Sequence, residues 1–381
     1  MKILHCPTTI GGNPQSLSKA ERELGYDSKS MTLMQNYMNY SADYVVFSGS
    51  KYSPFNFLRR IKAIIFSLRN HDVLHYNFGR SIAPARIFHR RSSMPYFIIW
   101  LYNNLYARWF ECMDVAIAKK LGKIIAVTYQ GSDARQGWYC TKNCQTHYCH
   151  EEGGNKYFTK TGDKIISEQI AKFDKYADLI YSVNPDLLNV LPKRARFMPY
   201  ANIDPKDWEP CYLPEGDNDI PHIVHAPTDR TIKGTKYILD AFERLKNDGI
   251  EFRYTLVENM SHEQAMEVYK SADILIDQLL IGYYGGLAVE LMCLGKPVIC
   301  YLRDEDIKYL PEQMQKDLPI INANPDDIYD VLKECLTTKK SSLRDIGIKG
   351  RKYAETWHDP KKIAAGLIDD YKKVYRLKNP H

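Results

Sequence analysis

The stretch IGYYGGLAVELMCLGKPVIC, Ile281 to Cys300, holds a Gly-Gly pair, a single carboxylate and a Gly-Lys-Pro break. Upstream, DILIDQ (273–278) has the apolar composition of a buried strand, and KPVICY (296–301) downstream reads the same way. LAVELMCLG between them has the character of a helix. The order is strand, glycine-rich loop, helix, strand. Gly285 and Gly286 allow φ > 0 and a close approach of backbone to a ligand. The N–H groups of Gly286 and Leu287 would open the helix and point at a phosphate or sugar oxygen. Glu290, one turn in, is placed to hold both hydroxyls of a ribose. The bland alternative is a glycine-rich turn followed by a solvated glutamate.

An earlier segment repeats this logic. In HAPTDRTIKGTKYILDAF (225–242) an apolar strand ends near His225 and a loop carries Arg230 and Lys233. A helix is expected from Gly234, with Ile238, Leu239, Phe242 and Leu245 inward and Gly249 as its stop. Two cations at a helix entrance suit a diphosphate, because the helix N-terminus adds its own positive end. Two solvated surface cations are the alternative.

Short apolar runs alternate with amphipathic stretches along the whole chain. KILHC, YVVF, DVLHY, KIIAVTY, DLIYSV and ARFMPY read as strands of a first half. PHIVHAP, FRYTLV, DILIDQ, KPVICY and PIINA read as strands of a second. Such alternation implies parallel sheets covered by helices, hence an α/β fold. The chain, at 381 residues, suits two domains. The Pro-, Asp- and Asn-rich run at 198–221 marks the boundary. Two open α/β sheets that each bind at the carboxyl ends of their strands would face one another across a cleft.

Composition excludes several classes. Apolar residues make up 44% and charged residues 26%, ordinary for a globular protein. MKILHCPTTIGG reads as a first strand and lacks the apolar core and cleavage site of a signal peptide. No run is long enough to span a bilayer. The cysteines lack a disulfide framework, so a reducing, cytoplasmic compartment is expected. No Gly-x-Gly-x-x-Gly follows a strand, which counts against a dehydrogenase.

With these residues in place, His225 to Tyr301 resembles the donor-binding domain of retaining glycosyltransferases of family 4, which have the GT-B fold of two Rossmann-like domains. The resemblance rests on the Arg/Lys-Gly loop, the small-residue helix and the closing Gly-Lys-Pro-Val. The family carries two glutamates separated by seven residues. Glu290 matches the second; the first falls on Gly282, and Asp277 is the candidate to compensate. In the first half, GGNPQSLSKAERELGYDS resembles the loop bearing Gly11 and Gly12. DVLHYNFG and VTYQGSDAR resemble later strand ends, with Gln130 where relatives often have histidine and Asp133 as a polar candidate in the cleft.

The resemblance implies an acceptor-side domain at 1–200, a donor-binding domain at 201–359, and a last helix (360–381) that packs back onto the first. It implies transfer of a sugar, with retention, from a nucleotide diphosphate sugar to a polysaccharide, lipopolysaccharide or lipid-linked glycan. Arg230 and Lys233 would stabilise the leaving diphosphate, and catalysis would need no cofactor. The rivals are a nucleotide-sugar epimerase of the same fold, and a non-catalytic sugar-binding protein.

Two further features stand apart. Lys51 to Phe110 holds ten Lys/Arg against Asp72 alone, a window of 10 − 1 = +9 in a chain of net +6. FNFLRRIKAIIFSLRN sets Phe55, Leu58, Ile61, Ile65 and Leu68 on one helical face, with Arg59, Arg60, Lys62 and Arg69 around it. Arg80, Arg86, Arg90, Arg91 and several aromatics follow. Such clusters suit peripheral contact with an anionic membrane on the inner face of the cell membrane; a core helix with a solvated back is the alternative. No nucleic-acid module accompanies the charge. Finally, WYCTKNCQTHYCHEEGG brings Cys140, Cys144 and Cys149 together with His147 and His150. A structural zinc is expected there, with unligated thiols, an iron–sulfur site or a redox disulfide as alternatives.

Overall fold

A computed structural model describes residues 1–35, 41–47, 53, 55–87, 95–214 and 220–379. The chain forms two compact units. The first comprises residues 1–138, 158–203 and 360–381; the second comprises 139–157 and 204–359. Residues 139–157, placed with the first half on sequence grounds, therefore pack with the second unit.

The first unit is built on a parallel sheet of seven strands among the described residues: β1 (Lys2–Cys6), β2 (Asp27–Thr32), β3 (Tyr44–Val45), β4 (Val73–Asn77), β5 (Ile124–Tyr129), β6 (Leu179–Ser182) and β7 (Arg196–Phe197). Their spatial order is β3-β2-β1-β4-β5-β6-β7. The central strands β4 and β5 are buried throughout, as expected when helices cover both faces. Edge strands β3 and β7 have two residues each, which limits the unpaired edge they present.

Alternation along the strands sends Leu4, Leu74, Tyr76, Ile125 and Val127 into one apolar cluster. Ala63, Ile64 and Leu68, Val115 and Ala118, and Ile166, Ile170 and Phe173 complete it from three helices. The opposite face is polar and equally buried. His75 Nε2 meets Thr128 Oγ1 at 2.7 Å, and His75 Nδ1 meets Tyr371 OH at 2.6 Å on the helix Pro360–Lys378. His5 Nε2 meets Glu21 Oε2 at 2.9 Å, to which Ser28 donates at 2.6 Å. The last helix is held further by Asp370, which accepts from Tyr181 and Arg196.

The second unit has a parallel sheet of β8 (His222–His225), β9 (Arg253–Leu256), β10 (Ile274–Ile276), β11 (Val298–Cys300) and β12 (Ile321–Asn322), in the order β12-β11-β10-β8-β9. Ile223, Ile274, Ile276 and Ile299 pack against Ile238, Phe242 and Leu245 of the helix Thr235–Asn247. Among its buried polar residues is His225. Nδ1 donates to Ile276 O at 2.7 Å, leaving Nε2 to accept from Thr235 Oγ1 at 2.9 Å. Among the described residues no helix is long and apolar enough to cross a membrane.

Each unit thus buries a neutral imidazole. Burial pushes His75 well below its ordinary range, with His5 adding to the effect, and brings His225 down to about 4. His71 and His222 are lowered by burial as well. A histidine with a depressed folded pKa binds fewer protons folded than unfolded, so stability falls with pH below its unfolded value near 6.5. Asp114 and Asp133, raised by burial, act in the opposite sense, Asp133 with a folded value of about 6. Between pH 7 and 6 Asp133 takes up only about half a proton, and the two strongly depressed histidines outweigh it. Stability should drop there, approaching about 1.4 kcal/mol per pH unit for each of His75 and His225 as their unfolded forms protonate. Urea unfolding at pH 7.0 and 6.0 measures this, and a midpoint that rises on acidification would contradict it.

Candidate active site

In both sheets the chain order reverses, and crevices for ligands open at such points beyond the carboxyl ends of the strands. In the second sheet the reversal lies between β8 and β10. The turns that follow these strands carry the residues singled out from sequence.

After β8, Asp229 caps a one-turn helix, Arg230–Lys233. Its Oδ1 accepts from the N–H of Thr231 at 3.0 Å and of Ile232 at 3.2 Å. Arg230 and Lys233 therefore sit on a helix of their own rather than in a loop. The longer helix begins after Gly234, a left-handed residue at φ +75°. A Cβ at Gly234 would stand 3.2 Å from Leu279 Cβ, so the turn lies close against the segment after β10.

After β10, Asp277 is fully buried and joins the two turns. Its Oδ1 pairs with Lys233 Nζ at 2.7 Å and its Oδ2 accepts from Gly285 N at 2.7 Å. Leu279 N donates to Lys233 O at 3.1 Å as well. Arg230 is more exposed and pairs in two places with Glu258, through Nε at 2.9 Å and Nη2 at 2.5 Å. Glu258 lies two residues past the end of β9. No sequence motif points to it, although its position beyond a strand's carboxyl end does.

The glycine turn differs from expectation. Gly285 is extended, at φ −100° and ψ −179°, and Gly286 opens the helix Gly286–Cys293 without a positive φ. The left-handed residue is Gly282, at φ +88°. A Cβ at Gly282 would lie 2.8 Å from Arg303 Cβ, and Gly282 O accepts from Arg303 N at 2.9 Å. Backbone geometry and Arg303 together exclude a glutamate from this position. Leu287 lies in the first turn of the helix, and Glu290 is half-buried one turn on. Its charge adds to the burial that raises the Tyr269 hydroxyl.

In the first unit, Gly11 and Gly12 follow β1 at φ +73° and +76°. A Cβ at Gly11 would meet Gln130 Oε1 at 2.7 Å. Asp133 accepts from the N–H of Gln130 at 3.1 Å and of Gly131 at 2.6 Å. Burial raises its carboxyl to about 6 against these donors and the charge of Arg80. Gly11, Gly12, Gln130 and Asp133 are thus brought together, at the reversal between β1 and β4. Gly79, after β4, completes the group: a Cβ there would lie 2.6 Å from Tyr129 and 3.5 Å from Asp133.

The cysteine loop gathers its residues but not into a ligand set. Among the described residues, no group of three or more His, Cys, Asp or Glu side chains is arranged to hold a metal. Cys140 and Cys144 are buried, and Cys149 is half-buried. His147 Nδ1 accepts from Cys149 N at 3.1 Å, and His150 Nε2 donates to Cys144 O at 2.8 Å. His147 and His150 each hold one ring nitrogen to backbone, and all nine cysteines, each among the described residues, are outside disulfides.

Solved structures share this architecture over the full chain. Sucrose-phosphate synthase from Thermosynechococcus elongatus matches with a TM-score of 0.60, covering 99% of this chain and 100% of its own at 14% identity. HepE from Anabaena, solved in complex with UDP-glucose, gives 0.58 over 98% and 100% at 11% identity. A glycosyltransferase from Rickettsia africae gives 0.56 over 99% and 98% at 14% identity. The fold is GT-B. No family profile matches the sequence, and no curated protein does. At such identities the likeness is one of fold, and the GT-B frame places the Arg230–Lys233 turn and the Gly282–Gly286 turn side by side.

Gly282 offers a direct test of this turn. Gly282→Ala forces an L residue into a left-handed conformation and a Cβ onto Arg303, and should cost about 1–3 kcal/mol. Gly285→Ala, at an extended residue with contacts no closer than 3.5 Å, should cost less. Chemical denaturation of the two variants checks the order.

Proposed function

We propose that this GT-B protein is a retaining glycosyltransferase of the family 4 type. It would move a sugar from a nucleotide diphosphate donor to a polysaccharide, lipopolysaccharide or lipid-linked glycan. The observation that carries the reading is the Lys233–Asp277–Gly285 bridge. It sets a cation, a one-turn helix and a helix entrance around one spot at the sheet's reversal point.

On this reading, Arg230 and Lys233 take the diphosphate, with the N–H groups of Gly286 and Leu287 beside them. Glu290 takes the ribose hydroxyls. Arg230 is available at small cost, because its pairing with Glu258 is solvent-exposed and exposed pairs contribute little. As the glycosidic bond breaks, charge grows on the leaving diphosphate, and preoriented cations and amides stabilise that charge more than the ground state. The acceptor hydroxyl then attacks from the same face and gives its proton to the departing phosphate. Gly11, Gly12, Gln130 and Asp133 form the acceptor-side group.

The test is direct. Arg230→Ala, Lys233→Ala and Glu290→Ala should each weaken binding of a nucleoside diphosphate at least about tenfold. Calorimetric titration with UDP, ADP and GDP measures it. Unchanged affinity in all three folded variants would remove the site assignment. A nucleotide sugar converted with no acceptor present would favour the epimerase. UDP-glucose, the ligand of the HepE structure, is the first donor to try.

The membrane contact of the first unit is part of the same proposal. The helix Asn56–Asn70 buries Ala63, Ile64 and Leu68 and turns Phe55, Phe57, Leu58, Ile61 and Ile65 outward. Arg60 of this helix turns inward and donates to Ile82 O at 2.6 Å. The helical run at residues 96–110 exposes Phe97 at 66%, Leu105 at 67% and Trp109 at 77%. An aromatic and aliphatic surface with Lys62, Arg69 and Arg108 exposed beside it suits the headgroup layer of an anionic bilayer. Arg90 and Arg91 lie outside the described residues. Replacing Phe57, Leu58 and Trp109 by serine should abolish flotation with phosphatidylserine vesicles while leaving nucleotide affinity intact. An unaltered protein that ignores such vesicles at low salt would remove the membrane from the proposal.

A further inference from the structure

Tyr139 to Tyr157 belongs to the second unit, although Trp138 and Phe158 on either side of it belong to the first. With its expected metal unsupported, the segment needs another reason for its order. Hydrogen bonds supply it. Arg303, paired with Asp306 at 3.1 Å, donates to Asn143 O at 2.8 Å. Tyr148 N donates to Leu280 O at 3.3 Å.

The remaining anchors converge on one place. Tyr157 OH donates to Asp229 Oδ2, the carboxylate whose other oxygen caps the Arg230–Lys233 helix. Glu151 Oε1 accepts from Tyr237 OH at 2.6 Å, and Glu151 Oε2 pairs with Lys236 Nζ at 2.6 Å. The segment therefore grips the cationic turn on both sides, at Asp229 before it and at Lys236 and Tyr237 after it.

A helix of one turn has no stability of its own, since its hydrogen bonds do not offset the ordering of so few residues. Its direction is set by its caps. Tyr157 fixes the rotamer of Asp229 that presents Oδ1 to the Thr231 and Ile232 amides. Glu151 fixes the start of the following helix, and with it the left-handed Gly234 junction. We propose that residues 139–157 are a positioning element for the diphosphate-binding turn, with Tyr157 and Glu151 as its positioning residues. The inference rests on the reading of Arg230 and Lys233 as diphosphate ligands. A turn held in its bound geometry before the ligand arrives loses less freedom on binding, and the gain appears as affinity for the group it contacts.

The experiment uses Tyr157→Phe, which deletes a single hydroxyl, and Glu151→Ala, each in the full chain. Titrations compare UDP, ADP and GDP with the matching monophosphates, and amide hydrogen exchange is followed without ligand. Each variant should bind the preferred diphosphate about five- to tenfold more weakly, with the monophosphate unchanged. Exchange should quicken at 229–237 and stay as it was elsewhere. Equal losses for mono- and diphosphate, or faster exchange throughout the unit, would overturn positioning in favour of a general loss of stability. Diphosphate affinity that survives in both variants but falls in Arg230→Ala would overturn this inference and leave the donor site standing. If the unaltered protein binds none of the three diphosphates, the donor reading falls and this inference falls with it.

Discussion

The buried carboxylate of Asp277 is the contact on which the candidate site depends. A carboxylate with no exposed surface has to be matched by donors, and Lys233 and the Gly285 amide are the two it has. Such a pair adds little net stability, because desolvation offsets most of the attraction, while loss of one partner is costly. Its effect is on geometry. The turn after β8 and the turn after β10 come from chain positions more than forty residues apart, and Asp277 fixes their spacing to within a hydrogen bond. It also keeps Lys233 desolvated and aimed before any ligand is present. On the proposed reading, an incoming diphosphate shares Lys233 with Asp277 while Gly285 keeps the carboxylate satisfied. Binding is then a redistribution of partners, and release of the product leaves no bare charge behind.

The same frame explains why the turn tolerates Gly282. In the family this sequence resembles, a glutamate stands at that position. Here the backbone is left-handed and Arg303 fills the space a side chain would need. Arg303 is in turn committed to Asp306 and to Asn143 O. The missing glutamate and the ordered 139–157 segment are thus linked through one arginine. The space beside Gly282 is filled by an arginine that holds a neighbouring segment.

Where apolar periodicity is strong, the fold was legible. The strands β1, β4, β5, β6, β8, β10 and β11 lie within runs such as KIIAVTY and DILIDQ, whose burial follows from composition. β2 was not legible, because DSKSMT has no apolar pattern. It is buried because its hydroxyls find partners, Ser28 at Glu21 and Ser30 at Asp43. Glycine identity showed where a turn would fall but not which glycine would be left-handed. That depends on Arg303, which comes later in the chain. The charged residues of the site were found only where they sat in a motif: Arg230, Lys233 and Glu290 were, while Glu258 and Glu151 reach the site by tertiary packing alone. The cysteine loop shows the converse. Ligand-like spacing drew attention to a segment whose order comes from Tyr148, Glu151 and Tyr157.

The helix Asn56–Asn70 presses hardest on any account limited to folding. The stripe of Phe55, Leu58, Ile61, Ile65 and Leu68 reads from sequence as a possible core face, yet only Leu68 of the five is buried, with Ala63, Ile64 and Ser67, and the other four look outward. Neither face is strongly polar. Burying one large apolar side chain is worth about 1.5–3 kcal/mol, so five left in water on one helix forgo a large stabilisation. The first unit could have avoided this with polar residues at no cost to its core. Apolar patches of this kind on globular proteins mark surfaces that meet something else. Lys62 and Arg69, exposed on the same helix, add positive charge to that surface.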